Sequence, residues 1–222
     1  MSMPTARPIS PPASLLQAEG LACRRGRRLL FRGLNLQLQA GSVTWLRGSN
    51  GCGKTSLLRI LAGLSAATEG RVIWPAAGAQ DSAAQTGSPL IYIGHSNGLK
   101  DDLTLLEALA FLAELAGLDR AQARAVQALQ RLGLATRAAA PVRTLSQGQR
   151  RRGALARLAL DDGARVWLLD EPFDALDADS MALLQQLIAE HAARGGAALL
   201  TSHQAIDLKD AHELDLEAWR AA

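Results

Sequence analysis

The sequence predicts an α/β fold: a mostly parallel sheet with helical crossovers and an all-helical insertion near its middle. Three observations predict it. Short apolar runs bounded by turn residues alternate with longer helix-forming stretches. A glycine-rich loop, "GSNGCGKTS" at Gly48 to Ser56, stands between an apolar run and a helix-forming stretch. Residues from about 96 to 160 drop the alternation and become rich in Ala and Leu.

The elements follow in order. "LNLQLQ" (Leu34 to Gln39) alternates strictly, as a half-buried strand does. Gly41 marks a turn, and "SVTWLR" is the next strand. After the glycine-rich loop a helix is predicted from about Lys54 to Ala62, stopping near Gly63. "RVIWP" is a short strand ended by Pro75, "AAGAQDSAAQTGS" a small polar loop, and "PLIYIG" a buried strand. Thr104 to Glu107 carries the T-x-x-E capping-box pattern, and Asp119 to Gln122 is similar to it. Each opens a helix, with Gly117 and Gly133 as stops. "RVWLL" returns to strand, a helix runs from about Ser180 to Arg194 before Gly195, and "AALLTS" is a strand. "ELDLEAW" alternates and suits an edge strand. Strands alternating with helices need crossovers, hence a parallel sheet. There is no internal repeat.

Bulk properties bound the function. At 222 residues the chain fits one α/β domain, and 48% apolar with 20% charged residues is an ordinary globular composition. A formal net charge of +3 is too small to argue for nucleic acid. The basic residues are local: Arg24, Arg25, Arg27 and Arg28 suit a solvated hairpin, and Arg150, Arg151 and Arg152 form a second cluster. Cys23 and Cys52 are the two cysteines, with no C-x-x-C, so neither a disulfide framework nor a zinc site is expected. No uncharged apolar run approaches the roughly 18 residues of a membrane span. Residues 1–13, rich in proline and without an apolar core, are expected to be a disordered tail, and 14–222 a single domain.

Chemistry concentrates in three places. Gly48-x-x-x-x-Gly53-Lys54-Thr55 matches the P-loop pattern, after a predicted strand and before a predicted helix. In that pattern the backbone of Ser49, Asn50, Gly51, Cys52 and Gly53 wraps phosphates. Lys54 reaches the β- and γ-phosphates, and the Thr55 hydroxyl, beside Ser56, holds Mg²⁺. Cys52 stands at a helix N-terminus, where a thiol can be acidified, although a small filler residue is the simpler reading. In "VWLLDEP" an apolar strand ends in Asp170, at the carboxyl end where a metal would be met. Glu171 follows and is well placed to polarise a water for in-line attack. "LSQGQ" at Leu145 to Gln149 puts a serine before a helix, a second end suited to phosphate.

Together the P-loop, "LSQGQ" and an Asp-Glu pair about 25 residues further on resemble the ATP-binding cassette family, from about Leu15 onward. The resemblance implies a P-loop NTPase core with an N-terminal antiparallel β subdomain and an inserted helical subdomain. It implies ATP and Mg²⁺ as ligands and a homodimer packed head to tail. In that dimer Ser146, Gly148 and Gln149 of one chain cover the ATP held by the other. "ALD" (Ala175 to Asp177) looks like the family's D-loop, which communicates across the dimer, and His203 in "TSH" like its switch histidine, which contacts the γ-phosphate. His95 fills the slot of the usual Gln. Arg25 stands where an aromatic residue would stack on adenine, and a guanidinium can also stack on a base. Gln147 replaces the signature's usual Gly.

"YIGHSNGLKDDLT" and "CRRGRRLLFRGLN" further resemble the ATPase subunits of the cytochrome c maturation haem exporter. That implies a peripheral ATPase on the cytoplasmic face of a bacterial inner membrane. It would dock on an integral, CcmB-like transporter subunit with other cytochrome c maturation components, and no nucleic acid partner is expected. The alternatives are the ATPase of a different exporter or a soluble non-transport cassette. About 90 residues between P-loop and signature leave no room for the long coiled coil of chromosome-organising cassettes. A P-loop kinase would have no use for "LSQGQ".

Overall fold

Two strands that wrap the N-terminal third begin the fold. β1 (Ser14–Arg25) and β2 (Arg28–Gln39) form an antiparallel hairpin whose turn needs the left-handed Gly26. Its tip, Arg24 to Arg28, is exposed, as expected of a solvated hairpin. The computed structural model describes residues 12–75, 90–160, 163, 165–204, 208 and 211–220. The tail expected over 1–13 lies almost wholly outside the described residues, as does the polar loop expected after Pro75.

β4 (Glu69–Ile73) pairs antiparallel with the other edge of β1, giving a three-stranded sheet in the order β2-β1-β4. The second sheet has β3 (Val43–Arg47), β5 (Leu90–Ile93), β6 (Val166–Leu169), β7 (Ala197–Thr201) and β8 (His212–Asp215) in the order β5-β6-β7-β3-β8. All four of its pairings are parallel.

β6 and β7 are buried throughout and have no solvated face, as parallel strands covered on both sides should. Their side chains alternate between two cores. Trp167, Leu169, Ala198 and Leu200 join one core with α2 (Leu105–Leu115), α3 (Ala121–Arg131) and α5 (Ala178–Ala193). Val166, Leu168, Ala197 and Leu199 join the other, with α1 (Lys54–Leu61) and the antiparallel sheet. Trp167 stacks on the His191 ring at 3.9 Å, and a side chain on Gly196 would strike that ring.

The helices α2, α3 and α4 (Gln147–Leu155) all lie between β5 and β6. The box at Thr104 forms as read: its hydroxyl accepts from the Glu107 amide at 3.2 Å, and the Glu107 carboxylate accepts from the Thr104 amide at 2.8 Å. The Thr104 amide, together with the Thr104 hydroxyl, which also donates to that carboxylate at 2.8 Å, holds the Glu107 carboxyl below the usual range. The box expected at Asp119 does not form. α3 starts at Ala121, so the N-cap falls on Arg120, which turns left-handed (φ 54°) and caps nothing with its side chain. Asp119 instead gives its carbonyl to the Arg124 guanidinium. Gly117 and Gly133 do end their helices, both at positive φ. "ELDLEAW" is corrected as well. β8 is an edge strand, but it stops at Asp215, which accepts from the Glu217 amide and opens a 3-10 turn over Leu216–Trp219.

Thr104→Ala removes the cap of α2 and should cost about 1 kcal/mol of stability. The midpoint of urea unfolding at neutral pH measures it, with the slope unchanged.

Candidate functional site

The loop between β3 and α1 is shaped by glycines. Gly48, Gly51 and Gly53 take φ of 138°, 76° and 117°. At Gly53 a Cβ would lie 3.1 Å from the Phe31 ring, so the loop packs closely on β2. At Gly48 it would lie 2.7 Å from the Cys52 sulfur. Cys52 is thus a buried filler, and burial pushes its thiol pKa up, against the acidified reading. Gly53 caps α1 with no side-chain bond. Lys54 is buried and folds back over the loop, its ammonium donating to the carbonyls of Gly48 (2.7 Å) and Ser49 (3.3 Å).

Asp170 and Glu171 leave the carboxyl end of β6. Asp170 is 3% exposed, and its Oδ1 accepts the Thr201 hydroxyl at 3.0 Å. The same hydroxyl accepts from the Glu171 amide at 2.8 Å. Glu171 adopts φ 47°, rare for a residue with a side chain. Its carboxylate accepts the His203 amide at 3.1 Å and lies 3.4 Å from His203 Nε2. Arg25, Asn50, Gly51, Gly53, Lys54, Thr55 and Ser56 line one cavity of about 390 Å³ together with Asp170, Glu171 and His203. Thr55 and Asp170 also line a neighbouring cavity of about 520 Å³, which His95 borders. Seven P-loop and hairpin positions and four groups from three later loops therefore meet around one pair, Thr55 and Asp170. Among the described residues no group of three or more His, Cys, Asp or Glu is arranged to hold a metal. A cation at this point would have one hydroxyl and one carboxylate from the protein, both hard oxygen donors.

The second helix end is built separately. Ser146 is the N-cap of α4 and accepts from the Gln149 amide at 3.2 Å, while the Gln149 side chain accepts from the Ser146 amide at 3.0 Å. Gly148 packs on the Ala175 carbonyl, which would lie 3.0 Å from a Cβ there. Asp177 caps α5, accepting from the Ser180 amide at 3.0 Å, and its bonds to Ser180 hold its carboxyl below the usual range. Neither Ser146, Gly148, Gln149 nor Asp177 lines the two cavities that contain Thr55 and Asp170.

Three residues of this region escaped the sequence reading. Thr201 passes for a strand residue. Glu217 lies in the turn mistaken for strand; it accepts both the amide (2.9 Å) and the hydroxyl of Ser49, and these bonds with Arg220 depress its carboxyl pKa. Arg151, hidden in an Arg-Arg-Arg run, is 4% exposed and donates to four acceptors around the end of β6. Nothing in the run of three arginines marks the middle one, and its two neighbours are half-buried.

A family profile described as ABC transporter matches residues 31–174. Three curated relatives share the name cytochrome c biogenesis ATP-binding export protein CcmA. The one from Methylococcus capsulatus is 48% identical over 90% of this chain and 97% of its own length. The one from Aromatoleum aromaticum is 48% identical over 86% and 89%, and that from Haemophilus influenzae 41% identical over 93% and 97%. The fold is similar to that of a Pyrococcus furiosus chain described as an ABC transporter ATP-binding protein. The TM-score is 0.76 at 21% identity, covering 93% of this chain and 99% of that one. The chain belongs to the ABC transporter family, as an ATP-hydrolysing, ATP-binding member of it.

Proposed function

We propose that this chain is the ATPase of a membrane complex that handles haem for c-type cytochrome assembly, working as a head-to-tail dimer. Among the described residues no helix is long and apolar enough to cross a membrane, so docking on an integral subunit at the cytoplasmic face of the inner membrane is part of this reading. The observation that carries the dimer is the separation of two phosphate-suited helix ends. The P-loop end shares its cavity with Asp170, Glu171 and His203, while the Ser146 end opens elsewhere. A second copy brings its Ser146 end to the first copy's P-loop, and two complete sites result. The haem-related assignment rests on the relatives' shared name and their near-full coverage.

Within each site the loop amides from Ser49 to Gly53 and the Lys54 ammonium hold the β- and γ-phosphates of ATP. Lys54 exchanges its carbonyl partners for phosphate oxygens at no loss of hydrogen bonds. Thr55 and Asp170 would hold Mg²⁺, which would supply positive charge against the phosphate oxygens. Glu171 accepts a proton from the attacking water as the bond to the γ-phosphorus forms and the β–γ bridge breaks. His203, now on the Glu171 carboxylate, turns to donate to the γ-phosphate and frees that carboxylate for water. Arg25 lies at the adenine end. His95 borders the adjoining cavity, where it would stand near a cation held by Thr55 and Asp170.

Glu171→Gln should retain ATP binding, stabilise the ATP-bound dimer and lower turnover by about a hundredfold or more. Parental hydrolysis by this variant would overturn the assignment. Lys54→Ala and Ser146→Arg should each be inactive alone, yet a mixture should regain a fraction of the parental rate, because each heterodimer holds one intact site. A silent mixture of chains that do exchange would refute sites made in trans. Tagged parent and Lys54→Ala chains drawn from solubilised membranes should both bring down a multi-span subunit and a cytochrome c maturation component. A partner from another exporter would overturn the haem reading alone.

A further inference from the structure

We infer that Arg151 is the positioning residue that sets the geometry of Glu171 and ties it to the Ser146 end of α4, an inference that rests on the role given to Glu171 above. Arg151 sits one turn into α4, on the same rigid helix as Ser146 and Gly148. Its Nη2 donates to the carbonyls of Asp170 (2.9 Å) and Glu171 (2.6 Å). Its Nη1 donates to the Gly94 carbonyl (2.9 Å) and the Asn97 side chain (3.4 Å). One planar group therefore spans the helix, the end of β6 and the loop after β5 that carries His95.

The arrangement is not an incidental ion pair. The flanking arginine Arg150 takes the usual surface course, with Asp101 at 3.1 Å, and Asp101 is well exposed. Arg151 is buried and its short bonds all go to backbone carbonyls; burial pulls its pKa down, and the nearby carboxylates of Asp174, Asp170 and Glu171 offset part of that cost. Its Nε has no partner at all among the described residues, which shows that the fork is aimed at the carbonyls at some expense.

Those carbonyls flank the strained residue. A side-chain-bearing residue at φ 47° persists only where its surroundings over-determine it. Thr201 holds the Glu171 amide from one side and Arg151 holds its carbonyl from the other. Any shift of α4 when a second chain's nucleotide meets Ser146 and Gly148 pulls directly on the Glu171 peptide. Arg151 thus reports the state of one site to the hydrolytic carboxylate of the other. Lysine cannot do this, because a point ammonium cannot reach Gly94 and the Asp170–Glu171 pair together.

The test uses the full chain as parent, Arg151→Lys, Arg151→Gln and Glu171→Gln. It reads melting temperature, the Kd of a fluorescent ATP analogue, and kcat against KM for ATP. Arg151→Lys should melt near the parent, bind the analogue within about threefold, keep KM, and lose kcat by roughly tenfold to a hundredfold. Added to Glu171→Gln, it should cost nothing further, since no working carboxylate is left to position. A kcat within about twofold of the parent overturns the inference. So does a rise of Kd and KM at constant kcat, or a loss that adds fully to that of Glu171→Gln. Should neither Arg151 variant fold, the residue is only a structural clamp and the inference falls. Parental turnover in Glu171→Gln would sink the assigned role of Glu171 itself, whereas a silent Arg151→Lys beside an inactive Glu171→Gln sinks this inference alone.

Discussion

Apart from Arg25, which comes from the antiparallel hairpin, the groups gathered around Thr55 and Asp170 follow the carboxyl end of a parallel strand. β3 ends in the P-loop, β5 in Gly94 and His95, β6 in Asp170 and Glu171, and β7 in Ser202 and His203. Parallel strands run the same way, so their ends collect on one edge of the sheet, and that edge is where a ligand can be met by several loops at once. The sheet can be parallel only because both faces are covered, which the alternation of Val166, Trp167, Leu168 and Leu169 between two cores achieves. Burial of those side chains is therefore what aligns the chemistry. The loops add residues, but the sheet decides their neighbours.

At that edge the chain is held by hydrogen bonds to main-chain atoms more than by ion pairs. Thr201 joins Asp170 to the Glu171 amide, Arg151 grips the carbonyls that follow, and Glu217 grips Ser49. Polar groups buried beside Asp170 and Glu171 need partners of this kind, because each unmet bond costs more there than in water. The ion pairs elsewhere, such as Arg32–Glu69 and Arg71–Glu19, join well-exposed side chains and contribute little.

Much of this was legible in the sequence because it depends on local signals. The P-loop glycines, the Thr104 box, the Gly117 and Gly133 stops and the apolar run before Asp170 are short-range patterns with fixed spacing. The misses are of another kind. Asp119 has the right neighbours for a cap, yet the helix begins one residue too late for it to serve, and its carbonyl goes to Arg124 instead. "ELDLEAW" alternates throughout, but alternation cannot tell that the chain must turn after Asp215 to reach Ser49. Arg151 differs from Arg150 and Arg152 only in which way its side chain faces on α4, and that is set by contacts with Gly94 and Glu171, 57 and 20 residues away. Long-range partners leave no local mark.

The anchoring of Ser49 by Glu217 has a consequence for how the protein comes into being. β3 lies between β7 and β8, and the loop that follows it is pinned by a residue 168 positions later. A ribosome delivers the P-loop well before its supports. Until the segment from Ala197 to Arg220 has emerged, the loop has neither its flanking strands nor its tether. The nascent chain thus carries the nucleotide motif before it carries the strands and the tether that hold the loop in shape.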